Sequence, residues 1–307
     1  MTKKSRKNTV SSDKRLLPLK RSSRLFYFFR LIRLPNLLII AFTLLFTHYF
    51  LVPADFHTVY KFSQLFLLII STTLIAAGGY VINDYFDVKI DLVNKPDKVL
   101  INKVFTKKSI WQIYVLLNFL ALLAGFLADM KIALIQIFCG LSLYFYALYL
   151  KKIALLGNGL VALLSALVVL LANVLYEKNF PLVYLFAGFA FFISLIRELV
   201  KDIEDIEGDK AGNCQTFPIL FGVFNTKLLI FSVILLFFLS LFYFPHWLFL
   251  SIPYYLLYCF FISILLLTLA WQVFFAKSKA DFHRVSNFSK LIMLLGMVGM
   301  IFLQIQF

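Results

Sequence analysis

The sequence predicts an all-α membrane protein with nine transmembrane helices, and three observations predict it. Hydrophobic residues make up 62% of the 307 and charged ones only 15%, with a mean hydropathy of +0.90, far outside the range of soluble domains. Nine stretches are long enough to cross about 30 Å of hydrocarbon. Lys and Arg collect in alternate connections between them.

The stretches lie near 37 to 52, 62 to 82, 111 to 128, 132 to 149, 155 to 175, 181 to 199, 226 to 244, 248 to 275 and 288 to 306. The first follows Arg33-Leu34-Pro35-Asn36 and, being short, reaches back towards Leu25. The second lies between Lys61 and Asn83, the third between Lys108 and Asp129, and the fourth between Lys131 and Lys151. The fifth lies between Lys152 and Glu177, and the sixth opens at Pro181 and closes before Lys201. The seventh lies between Asn225 and Pro245, the eighth stops before Lys277, and the ninth begins at Phe288. Residues 25–307 thus read as one membrane domain after a basic tail, 1–24, too polar to pack, with no signal-peptide pattern. Its cap loops are expected near 88–110 and 200–225.

With the N-terminus inside, 27 of the 30 Lys and Arg fall on cytoplasmic segments, leaving only Lys61, Lys131 and Lys178 outside. This orientation belongs to the cytoplasmic membrane. The net charge of +15 sits beside the membrane, where anionic lipids are the natural partner; without a soluble module to read a groove, nucleic acid is not. The three cysteines, Cys139, Cys214 and Cys259, are given no role. His48, His57 and His246 are expected as ordinary interfacial side chains, and His283 as isolated in the last inner loop.

Ten of the 15 acidic residues fall in two cytoplasmic windows, and each window repeats Asp-x-x-Asp-x-x-x-Asp: Asp84, Asp87 and Asp91 after the second span, Asp202, Asp205 and Asp209 after the sixth. Offsets of three and seven put three carboxylates on one helix face. The second and sixth spans are four apart, so the chain reads as two four-helix halves plus a ninth helix, each half with one patch. Mg²⁺ is typically held by a few carboxylates together with substrate phosphates, so two facing patches suit a diphosphate bridged by metal. Lys151, Lys152, Arg197 and Lys201 lie at the same face, available to the diphosphate or as plain membrane anchors. Glu198 extends the second stripe in a supporting role. Glu204 and Glu207 are expected in solvent or paired with Lys201 and Lys210, and Gly208 is expected to end the helix, leaving Asp209 on a loop.

The run from Asn83 to Asp91, continuing Asn94-Lys95-Pro96, resembles the first aspartate-rich motif of the UbiA superfamily of intramembrane prenyltransferases. Arg197 to Asp209, followed by Thr216-Phe217-Pro218-Ile219, resembles the second. Arg33 to Asn36, and Tyr144 to Tyr146 with Lys151, Lys152 and Asn158, agree with the same family. The wording Lys-Asp-Ile-Glu-Asp-x-Glu-Gly-Asp is most similar to the branch that includes digeranylgeranylglyceryl phosphate synthase. One departure is that members often read Asn-x-x-Arg-Pro where this chain has Asn94-Lys95-Pro96-Asp97-Lys98-Val99.

The resemblance implies a nine-helix bundle around a large cavity, transferring a prenyl group from a prenyl diphosphate to a lipophilic acceptor with Mg²⁺. It implies that Asn83, Asp84, Asp87, Asp91, Asp202, Asp205 and Asp209 hold the metal-diphosphate. Arg33, Asn36, Asn83, Tyr144, Lys151, Lys152, Asn158, Arg197 and Lys201 are the implied substrate-binding set. Tyr85, Tyr144 and Tyr146 are either shields for an allylic cation or interfacial packing. Two acceptors stay open: the hydroxyl of a prenylglyceryl phosphate and an aromatic quinone precursor. A cation transporter is the reading from another class, disfavoured because its coupling sites would sit near the bilayer midplane.

Overall fold

The computed structural model describes residues 21–243 and 252–304, so most of the expected tail and His246 lie outside it. Among the described residues it is helical throughout: α1 (Arg21–Leu31), α2 (Leu34–Phe46, continued by a π-turn Thr47–Leu51), α3 (Val59–Asn94), α4 (Lys107–Ala128), α5 (Met130–Leu148), α6 (Leu156–Tyr176), α7 (Pro181–Glu204), α8 (Ile206–Ala211), α9 (Phe217–Tyr243, broken at Gly222), α10 (Ile252–Phe275) and α11 (Lys279–Gln304). Nine of these are long and apolar enough to span a membrane, as expected. The chain is an integral membrane protein.

Local chemistry sets several helix starts. Thr58, Thr106 and Asp129 accept hydrogen bonds from the backbone N–H of Lys61, Ser109 and Lys131 (3.2, 3.0 and 2.7 Å), satisfying orphan donors at the starts of α3, α4 and α5. Pro35 and Pro181 occupy the first turns of α2 and α7, where a missing N–H costs nothing.

Two helices outrun the apolar stretches that announced them. α3 continues from residue 82 to Asn94, and α11 starts at Lys279 rather than 288. Composition marks where the lipid ends, whereas a helix continues wherever its backbone bonds can. The expected cap loops therefore shrink to the connections 95–106 and 205–216, and α1 begins at Arg21, inside the expected tail.

In lipid the helices gain little from hydrophobicity and associate through close packing and a few polar ties. Ser71 on α3 donates to the Ala121 carbonyl on α4 (2.8 Å), and Gln136 on α5 donates to Thr72 on α3 (2.8 Å). In the second half, α7 packs against α6 and α11, burying Phe186, Ile193, Ile196 and Val200. The bundle has two chemically distinct ends. At one, Lys61 reaches the Leu175 carbonyl, Lys131 meets Glu177, and buried His48 bonds Tyr176 beside the His57 ring. At the other lie all six motif aspartates.

Gly296 on α11 faces the ring of Phe189 on α7, and an added Cβ would stand 2.1 Å from its Cζ. Gly188 on α7 faces open space. Gly296→Ala is therefore expected to lower stability by about 1–3 kcal/mol through overpacking, while Gly188→Ala leaves it unchanged or slightly raised; thermal unfolding in detergent compares them.

Candidate active site

The first aspartate motif occupies the last turns of α3. Asp84, Asp87 and Asp91 share a face, as their spacing requires. α2 meets this face through Arg33, which precedes the helix in a left-handed conformation (φ 53°). A non-glycine residue holds that conformation only when its surroundings impose it, at a cost of about 1–3 kcal/mol. Here the guanidinium bonds Asp84 Oδ1 through Nη2 (2.8 Å) and stacks 4.8 Å over the Tyr80 ring. Asn36, one turn on, donates to the Tyr80 hydroxyl (3.3 Å).

The connection from α5 to α6 approaches from the other side. Lys151 donates to Asn83 Oδ1 (3.1 Å) and closes tightly on Asp87 Oδ1, while Asn83 Nδ2 donates to Asp87 Oδ2 (2.7 Å). Both charges of the Lys151–Asp87 pair are nearly buried, so removing either partner strands the other at a cost of about 3–5 kcal/mol. Gly157 makes this approach possible, since a Cβ there would lie 2.8 Å from the Lys151 Cα. Asn158, next on α6, donates to Asp202 Oδ2 (2.9 Å).

The second motif is built differently. α7 ends at Glu204, Asp205 forms the break (φ −103°, ψ 10°), and α8 carries Asp209. The helix thus breaks three residues before Gly208, and Asp209 is helical rather than on a loop. Gly208 has another role: its N–H donates to Asn94 Oδ1 (3.0 Å), and a Cβ there would fall 2.2 Å from the Asn94 amide. Asn94 Nδ2 in turn donates to the Asp205 carbonyl (3.0 Å), and Lys95 Nζ reaches Asp205 Oδ2 (2.8 Å). The end of α3 is thereby locked to the bend that carries the second motif. The α5–α6 connection joins as well, with the Gln215 N–H donating to the Lys152 carbonyl (2.8 Å).

Of the residues expected to bind substrate, Arg33, Asn83, Lys151 and Asn158 meet at the aspartates. Arg197 and Lys201 both pair with buried Glu198 (2.8 and 3.1 Å), which supports them as expected. Asn36 and Tyr144 stand one layer back. Tyr144 adjoins Tyr114 and Phe86, in an aromatic cluster that continues through Tyr85 to Trp111. Tyr146 lies closer, within electrostatic reach of Asp87, Asp202, Glu198 and Arg33. The Lys152 side chain makes no hydrogen bond or ion pair among the described residues.

Glu204 departs from expectation. It is buried and accepts from His283 Nδ1 (2.9 Å), with Lys95 Nζ at 4.0 Å, while Glu207 is exposed as expected. Glu204 prolongs the buried stripe Ile193, Ile196 and Val200, a helical period that could have placed it inside. His283 is consequently neither isolated nor in a loop; it lies on α11. Asn94 and Lys95 enter the sequence only as the continuation of the first motif's wording; their tie to the second motif appears only in the fold, where α3 persists to Asn94.

No three acidic, histidine or cysteine side chains among the described residues converge closely enough to grip an ion as placed. Four of the six aspartates already hold a partner: Arg33, Lys151, Asn158 or Lys95. The donor set nevertheless suits a hard cation. Asp205 Oδ1 is buried without a hydrogen-bond partner, and the carboxylates of Asp91 and Asp209 make no side-chain hydrogen bond. Burial, then the nearby charges of Asp205 and Asp87, push the Asp209 carboxyl up to about 7. The same proximity brings the two motifs within reach of each other.

A nine-span bundle with two acidic walls facing each other at one end defines a class of intramembrane prenyltransferase. The chain belongs to the UbiA prenyltransferase family, whose model matches residues 37–298. It is 33% identical over 230 residues to the digeranylgeranylglyceryl phosphate synthase of Methanosphaera stadtmanae, covering 73% of this chain and 82% of that one. It is 39% identical over 178 residues to the enzyme of the same name from Sulfolobus acidocaldarius, covering 55% and 62%. A solved structure of digeranylgeranylglyceryl phosphate synthase shares the fold at a TM-score of 0.72, 24% identity and coverage of 93% and 100%. So does a UbiA homologue from Archaeoglobus fulgidus bound to GPP and Mg²⁺, at 0.66, 14% identity and coverage of 89% and 99%.

Asn94→Ala removes the two side-chain bonds between Asn94 and the second motif, leaving the Lys95–Asp205 pair in place. The Gly208 amide is expected to exchange its hydrogen at least tenfold faster, with amides in the core of α7 unchanged; hydrogen exchange by mass spectrometry reads both.

Proposed function

We propose that the chain transfers a prenyl group of the geranylgeranyl class from its diphosphate to the free hydroxyl of a prenylglyceryl phosphate, with Mg²⁺. The observation that carries this reading is the meeting of the two aspartate walls, ringed by the chain's own cations and locked through Asn94 and Lys95. The choice of acceptor is supported by the second motif's wording and by the relatives that are named for such a synthase.

Asp84, Asp87, Asp91, Asp202, Asp205 and Asp209, with Asn83, would hold the metal. When bound, Mg²⁺ neutralises the diphosphate and stabilises the charge that develops on it as the allylic carbon–oxygen bond breaks. Lys151 and Arg33 sit on the aspartates and are free to turn to phosphate oxygens once a metal satisfies those carboxylates. Arg197 and Lys201, oriented by Glu198, supply further positive charge beside the second motif. Tyr146 presents an aromatic ring near the reacting end, where it can stabilise an allylic cation by about 0.5–2 kcal/mol. Tyr144 and its aromatic neighbours extend that surface towards the lipid-facing side of α4. The exposed Leu and Phe side chains of the bundle suit lipophilic substrates arriving from the bilayer.

The aspartate end is read as cytoplasmic in the cytoplasmic membrane, with anionic lipids at its basic rim. The placement of Lys61 and Lys131 at the opposite end supports that orientation.

Asp87→Ala and Asp205→Ala are each expected to reduce prenyl transfer by roughly a hundred- to a thousandfold; both should still insert, with Asp87→Ala the less stable because it strands Lys151. Purified protein with geranylgeranyl diphosphate, prenylglyceryl phosphate and Mg²⁺ provides the assay; full activity in either variant contradicts the proposal. A second outcome concerns pH. Below about 7 the Asp209 carboxyl keeps its proton, which a metal must displace. The Mg²⁺ concentration for half-maximal activity is therefore expected to fall as pH rises from about 6 to about 8, by up to roughly tenfold per unit on the acid side.

A further inference from the structure

Among the described cations at the aspartate walls, Lys95 alone has two carboxylates within 4.0 Å. Its Nζ stands 2.8 Å from Asp205 Oδ2 and 4.0 Å from Glu204 Oε1. Arg33 and Lys151 pair only with aspartates of the first motif. Glu204 is buried, lies outside the six motif aspartates, and is paired with His283 of α11. A buried carboxylate needs compensation, and an exposed histidine at 2.9 Å supplies only part of it. Asp205, for its part, has one oxygen on Lys95 and the other buried without a partner.

We propose that Lys95 is a tethered counter-ion that holds Asp205 until a metal displaces it, and that buried Glu204 is the station to which it then moves. Lys95 is a positioning residue in this scheme, acting on the site through Asp205. The proposal rests on the metal-binding reading of the aspartates. The exchange keeps each carboxylate partnered in both states. Without metal, Lys95 serves Asp205 while His283 serves Glu204; with metal, Asp205 is satisfied from the site and Lys95 swings to Glu204. Only the terminal bonds of the lysine need turn, because its anchor at the end of α3 is fixed by the Asn94 bonds. Metal affinity is then set partly by competition with Lys95, and the competition is eased by Glu204.

Mn²⁺ binding to the full-length protein in lipid nanodiscs, without substrate and read by the electron paramagnetic resonance signal of free Mn²⁺, tests this. Lys95→Met should bind Mn²⁺ about tenfold more tightly than the parent. Glu204→Gln should bind about three- to tenfold more weakly, because the displaced lysine loses its station. The double variant should match Lys95→Met. A folded Lys95→Met that binds no tighter overturns the proposal, as does a Glu204→Gln effect that persists undiminished without the lysine. If Lys95→Met does not fold, Glu204→Gln alone decides: weaker binding supports the exchange, and unchanged or tighter binding overturns it. A parent that binds no Mn²⁺ refutes the metal-binding reading, and this proposal with it. Normal parental binding with unresponsive variants refutes this proposal alone.

Discussion

Asp205 and Lys95 meet at 2.8 Å across the two acidic connections, one of three ion pairs that compensate charge among six aspartates gathered at one end of an apolar bundle. Like charges held close in a poorly solvated place must be protonated, paired or bound to metal. The chain uses the first two. Arg33, Lys151 and Lys95 pair with Asp84, Asp87 and Asp205, Asn158 bonds Asp202, and Asp209 keeps a proton to about pH 7. On the proposed reading, the same groups suit a ligand that would bring its own cations to the carboxylates and its own negative charge to the lysine and arginine thereby released. A metal-chelated diphosphate has both properties.

The backbone serves this arrangement in three places. α3 remains one helix from Val59 to Asn94, so its three aspartates keep the spacing written in the sequence. α7 stops at Glu204 and restarts as α8, a bend that carries Asp205 to Lys95 and the Asp205 carbonyl to Asn94. Arg33 and Gly157 hold unusual positions, one in a left-handed conformation and one too crowded for a side chain, so that a guanidinium and a lysine reach the first motif. These local requirements are imposed by packing rather than by helix propensity.

Much of this was legible beforehand. Hydropathy gave nine spans, because lipid imposes one apolar length on every crossing helix. The motif spacing gave the aspartate faces, because a helix converts offsets of three and seven into adjacency. What escaped were features set by the partner across a gap. Glu204 looked solvent-bound as an acid among acids, although the apolar stripe Ile193, Ile196 and Val200 runs directly into it. His283 looked isolated because its partner lies 79 residues away in sequence. Gly208 looked like a helix end, whereas Asn94 is the reason it lacks a side chain. Asn94 and Lys95 lie beyond the apolar stretch, and only the persistence of α3 past Asp91 reveals their tie to the second motif.

On the proposed function the two motifs are walls of one site rather than two cation sites. A double-mutant cycle on Asp87 and Asp209 addresses it most directly, reading the Mg²⁺-dependent affinity of the purified protein for a non-reactive geranylgeranyl diphosphate analogue with Asp87→Asn, Asp209→Asn and both. One shared site predicts a coupling of about 1 kcal/mol or more between the two positions. Effects that add to within about 0.5 kcal/mol would contradict it, as would analogue affinity unchanged by loss of either carboxylate.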